Sequence, residues 1–111
     1  MKDYNIEFKP EMGEMVYSGT EYIKGMIEKI GNDFSMAEKC DVLIELNPDS
    51  KGDYEISAYI QVPRYVFMSK KKGDNFFIAA KTAFDDLSSQ INDLKFRMMK
   101  DAIRKKPFML I

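Results

Sequence analysis

The chain has 111 residues, 45% of them hydrophobic and 32% charged, with a formal net charge of −1, one cysteine and no histidine. These values describe one soluble globular domain rather than a disordered chain, and they rule out an internal disulfide. Without histidine there is no His-based general base, catalytic triad or His-containing zinc site.

Tyr4-Asn5-Ile6-Glu7-Phe8-Lys9 alternates apolar and polar residues and reads as a strand, broken by Pro10 and Gly13. Ser18-Gly19-Thr20-Glu21 fits a capping box. Ile23, Met26, Ile27, Ile30 and Phe34 follow at helical spacing, which predicts a first helix over about 19–34. Gly25 inside that helix suggests tight packing. Cys40 to Leu46 is a second strand, with Cys40 as a small buried hydrophobe. Asn47 to Asp53 is turn chemistry, and Tyr54 to Val62 is a third strand. Pro63-Arg64 turns into a fourth strand, about Tyr65 to Lys71, with Tyr59 and Phe67 expected on the sheet face away from the helices. A long helix follows Asp74 or Asn75. Its apolar stripe is Phe76, Ala80, Ala83, Phe84, Leu87, Ile91, Leu94 and Met98.

The predicted fold is α+β, a two-layer β-α-β-β-β-α domain. Its four-stranded sheet is mainly antiparallel, with two helices packed on one face. The domain spans 1–98, and 99–111 form a basic and then apolar tail. No stretch is long and apolar enough to cross a bilayer, and MKDYNIEFKPEM has no apolar run of a signal peptide, so the expected location is the cytoplasm.

Charge is unevenly distributed. Residues 1–69 carry 7 Lys/Arg against 13 Asp/Glu, a net of −6, whereas residues 70–111 carry 10 against 5, a net of +5. Lys70, Lys71 and Lys72 form one basic cluster, and Arg97, Lys100, Arg104, Lys105 and Lys106 form another. Either can hold phosphates; equally, the first can protect a strand edge and the second can complement a helix C-terminus. Arg64 and Tyr65 could stack on an unpaired base or cover the sheet edge. Asp85, Asp86 and Asp93 read as a solvated helix face.

Glu21-Tyr22-Ile23, Ile27-Glu28-Lys29-Ile30 and Phe34, then Val62-Pro63, then Asp74-Asn75-Phe76-Phe77-Ile78-Ala79-Ala80 with Asp85, Leu87 and Gln90, carry a family pattern over about residues 4–97. The chain resembles the ribosome hibernation promoting factors, also known as ribosome-associated translation inhibitors or sigma-54 modulation proteins. It resembles their short form. The resemblance implies a non-enzymatic domain that needs no cofactor, metal or small-molecule substrate. Such a domain binds the small ribosomal subunit, contacts 16S rRNA through basic residues and occludes the mRNA–tRNA channel during stress. Lys29 and Lys95 match family cations. The pattern departs at Asp86, Ser89, Asn92 and Asp93, where the family carries Lys or Arg, and at Lys70–Lys72, where it is often acidic. The expected RNA-binding set is Lys29, Arg64, Lys70, Lys71, Lys72, Lys95, Arg97, Lys100, Arg104, Lys105 and Lys106. The alternative is a diverged protein-interaction module, self-associating through the exposed sheet face or the Pro107–Ile111 tail.

Overall fold

A computed structural model describes residues 3–9, 13–46 and 53–104, with the side chains of 13–15 and 101–104 excepted. Six elements follow in chain order: β1 (Asp3–Lys9), α1 (Gly13–Asp33), β2 (Lys39–Leu46), β3 (Tyr54–Val62), β4 (Tyr65–Gly73) and α2 (Phe76–Arg104). The strands form one sheet in the order β1-β2-β3-β4. β1 pairs parallel to β2 across the α1 crossover, and β2-β3-β4 is an antiparallel meander. The predicted β-α-β-β-β-α order and α+β class hold.

The strands alternate as their sequences require. Phe8, Ile44 and Ile56 line up on the helix face. So do Val42 with Ala58, and Cys40 with Ile60 and Phe67. Against them α1 buries Ile23, Ile27 and Ile30, and α2 buries Phe76, Ala80, Ala83, Leu87 and Ile91. An aromatic cluster closes one end. The Phe76 ring stacks on Phe8 at 5.8 Å and meets Tyr54 and Tyr22 edge-on at 6.0 and 6.3 Å.

Several local expectations change. α1 begins at Gly13, so Ser18 lies inside the helix and the Ser18–Glu21 pattern is no cap. Val16 and the buried Gly19 carry the inward stripe back past it. The tightly packed glycine is Gly19, not Gly25. A Cβ on Gly19 would stand 2.7 Å from the Phe8 ring and 2.9 Å from the Phe76 ring, whereas one on Gly25 would meet nothing within 4 Å. Phe67 is buried on the helix face, opposite Ile60, because the two-residue turn pairs Val62 with Tyr65 and sets the phase of β4. The residues that share the outer face with Tyr59 are Val66 and Met68. Of the two candidate caps of α2, Asn75 serves: its Oδ1 accepts from the Ile78 amide at 2.9 Å. The apolar stripe of α2 ends before Met98, which is exposed.

α2 runs antiparallel to β4, with Ala79 against Gly73, Asp86 beside Lys71 and Gln90 on Met68. Its 29 residues make a rod of about 43 Å, and the nine residues of β4 reach about 30 Å. About the last nine residues of α2 therefore overhang the sheet. Residues 96–100 are all exposed.

Candidate nucleic-acid interface

The register sorts the basic residues onto separate surfaces. Outward positions of the sheet line up in rows. Lys9, Glu45, Glu55 and Lys72 make one; Glu7, Leu43, Ser57 and Lys70 the next. Asn5, Asp41, Tyr59 and Met68 follow, then Asp3, Lys39, Gln61 and Val66. Four lysines thus face five carboxylates, and this surface is a charge mosaic rather than a cationic patch. Lys70 and Lys72 both reach Glu55, at 3.2 and 3.6 Å, and Lys39 reaches Asp41 at 3.9 Å.

Lys71 points the other way, toward α2, where its ammonium stands 3.9 Å from Asp86. The basic run is therefore split by strand alternation: no one surface receives all three lysines. Asp86 also accepts from Gln90, whose amide donates to the Met68 carbonyl at 2.8 Å and ties α2 to the edge strand. Asp85 turns to Lys81 at 2.8 Å, and this contact raises the Lys81 pKa, chiefly through the hydrogen bond. The adjacent aspartates thus serve different partners. Among the described residues no cluster of three metal-ligating side chains exists.

Lys95 sits between the helices. Its ammonium donates to the Asp33 carbonyl at the end of α1 and lies 5.7 Å from the centroid of the Phe34 ring. With Ile30, Asp33, Ser88, Ile91 and Asn92 it lines a cleft of about 50 Å³, room for waters and too small for a substrate. Lys29 is exposed on the flank of α1 that carries Tyr22 and Asp33, the flank facing α2.

Arg64 occupies the tip of the β3–β4 hairpin with φ 74°. After a proline, this matches a type II turn, which ordinarily places Gly or Asn there. An arginine held in the left-handed region costs on the order of 1 kcal/mol, and such strain persists where it serves a purpose. The hairpin lies at the end of the sheet toward which α2 runs.

Arg97 and Lys100 lie on the overhang of α2. Arg97 continues the flank of Asp86 and Gln90, roughly 16 Å along the axis beyond Asp86. Lys29, Arg64, Arg97 and Lys100 make no ion pair among the described residues. Of Arg104 only the backbone is described, and Lys105, Lys106 and the Pro107–Ile111 tail lie outside the described residues. The charge split now has a location. Residues 70–94 carry four Lys/Arg and four Asp/Glu, so the whole +5 of the second half belongs to 95–111. Among the described residues, Lys70–Lys72 and the overhang cations Arg97 and Lys100 do not converge. Of Lys29, Arg64, Arg97 and Lys100, Arg64 stands at the hairpin end and Arg97 and Lys100 along the overhang. Sequence reasoning missed the carboxylate partners of Lys70–Lys72, which depend on cross-strand register and on helix–sheet packing, and the strain at Arg64, which follows from the geometry of the two-residue turn.

No protein-family model matches the chain, and no curated protein matches it in sequence. Its fold is nevertheless shared with solved structures. A ribosomal subunit interface protein from Coxiella burnetii superposes with a TM-score of 0.68 at 10% identity, over 84% of this chain and 97% of that one. The N-terminal domain of Thermus thermophilus Protein Y does so with a TM-score of 0.68 at 14% identity, over 85% and 99%. The fold that the sequence resemblance implied is the fold these proteins have.

Proposed function

We propose that this chain binds the ribosome and restrains translation as a hibernation-type factor. It would occlude the mRNA–tRNA channel of the small subunit and anchor itself through Lys/Arg contacts to 16S rRNA phosphates. One observation carries the reading: nearly the whole length of a ribosomal subunit interface protein is matched by this β-α-β-β-β-α domain. The sequence resemblance over residues 4–97 supports it independently. The cations best placed to anchor the domain are Arg97 and Lys100, joined by Arg104, Lys105 and Lys106 in sequence, with Arg64 at the hairpin and Lys29 on α1. Lys70, Lys71, Lys72 and Lys95 already hold protein partners, which a phosphate would have to displace, so they contribute less to the anchor. The work is steric and electrostatic, in the cytoplasm, with no cofactor and no bond made or broken. Co-sedimentation of the purified protein with small subunits tests the reading. Binding at low salt that falls steeply with added salt supports it, and protein left entirely in the supernatant refutes it.

A second reading, self-association through the open sheet face, is favoured by the adjoining exposed side chains of Tyr59, Val66 and Met68. Light scattering of the wild type against Met68→Glu separates the two: a dimer lost on substitution supports this reading, and a monomer in both removes it.

A further inference from the structure

We propose that the overhang of α2 stacks an unpaired RNA base on Phe96 while Arg97 and Lys100 hold the adjoining phosphates. Phe96 is 68% exposed and Met99, one turn on, 65%. Phe96 is not leftover core. Ile91 and Leu94 point to the sheet, and helical geometry turns Phe96 about 140° to 160° away from both, onto the side facing solvent. A phenyl ring displayed there has its apolar face available to a ligand.

The cations beside it are equally uncommitted. On the α2 side of the sheet, Lys71, Lys81 and Lys95 each have a protein partner, whereas Arg97 and Lys100 have no ion pair among the described residues. Residues 95–100 carry Lys95, Arg97 and Lys100 and no carboxylate, so the ring stands in a locally positive stretch of the helix. An exposed aromatic flanked by unpaired cations is the chemistry of single-stranded nucleic-acid binding. The ring accepts any base face and the cations track the backbone. The charge favours this occupant over an apolar protein groove. The inference rests on the ribosome-binding reading for the source of the RNA, but not for its chemistry.

The test uses the full chain and two labelled strands in fluorescence anisotropy. One is a short single-stranded RNA, and the other is an abasic strand with the same number of phosphates. The wild type should prefer the base-bearing strand by about tenfold or more. Phe96→Ala should lose that preference while binding the abasic strand as before, and Phe96→Trp should keep it. Arg97→Gln with Lys100→Gln should weaken both strands together and flatten the salt dependence. Because Phe96 is exposed, thermal unfolding of these variants should match the wild type. Equal wild-type affinity for the two strands overturns the inference, as does a Phe96→Ala variant that keeps the preference. Loss of ribosome co-sedimentation in Phe96→Ala without any base preference also overturns it, since the ring then docks on ribosomal protein. A base preference in a chain that does not co-sediment with ribosomes supports the stacking site and refutes only the ribosomal reading.

Discussion

Lys95 closes the end of α1, its ammonium donating to the Asp33 carbonyl while standing 5.7 Å from the Phe34 ring centroid. A residue whose position matches a family cation thus holds the two helices together. Lys95→Met keeps the stem and removes the charge. Urea unfolding should show a loss of about 1 kcal/mol, the scale of one charged hydrogen bond at a helix terminus.

The two glycines of α1 should respond with opposite signs. Gly19→Ala drives a methyl into the Phe8 and Phe76 rings, whose atoms would lie at 2.7 and 2.9 Å. It should cost about 1–3 kcal/mol, as overpacking of a fixed aromatic pair does. Gly25→Ala meets open space and should stabilise by about 0.5–1 kcal/mol through helix propensity. Thermal unfolding of the pair checks both.

Arg64 should separate stability from binding. Arg64→Gly relieves the positive φ of 74° and should raise stability by about 1 kcal/mol. The same change removes an unpaired cation from the hairpin tip, so ribosome affinity should fall. A variant that is both more stable and equally tight would show that the strained arginine has no binding role.

Much of this architecture was legible because burial writes itself into periodicity. The strand spans Tyr54–Val62 and Tyr65 onward, the inward set Ile56, Ala58, Ile60 and Val62, and the stripe from Phe76 to Ile91 all follow from spacings of two or of three to four. What failed depended on phase or on long-range neighbours. Phe67 changed face because the Pro63-Arg64 turn sets the register. Ser18 had the composition of a cap without the position of one. The basic clusters were visible as composition. Strand alternation split Lys70 and Lys72 from Lys71, Glu55 and Asp86 paired with them, and no local pattern encodes those partners.

Cys40 gives a pH prediction. Burial, reinforced by Asp41, pushes its thiol from 9.0 up to about 12. The folded chain then keeps the proton that the unfolded chain releases above pH 9, so stability should fall as pH rises from 9 toward 12. The slope is up to about 1.4 kcal/mol per pH unit. Cys40→Val should remove this component from the alkaline limb of a chemical-denaturation series. In the native protein the thiol should resist alkylation at neutral pH until denaturant is added.

The phosphate-binding charge proposed for this chain lies at the end of α2 rather than on the lysine run of β4. Co-sedimentation with small ribosomal subunits across a salt series measures this directly for the wild type, for Arg97→Gln with Lys100→Gln, and for Lys70→Gln, Lys71→Gln and Lys72→Gln combined. Each lost phosphate contact should reduce the slope of log affinity against log salt by roughly 0.7–0.9. The double variant should therefore lose about two phosphate contacts' worth of slope, and the triple variant less than one. A triple variant that abolishes binding while the double variant binds as the wild type would contradict the account, as would a wild-type protein that never leaves the supernatant.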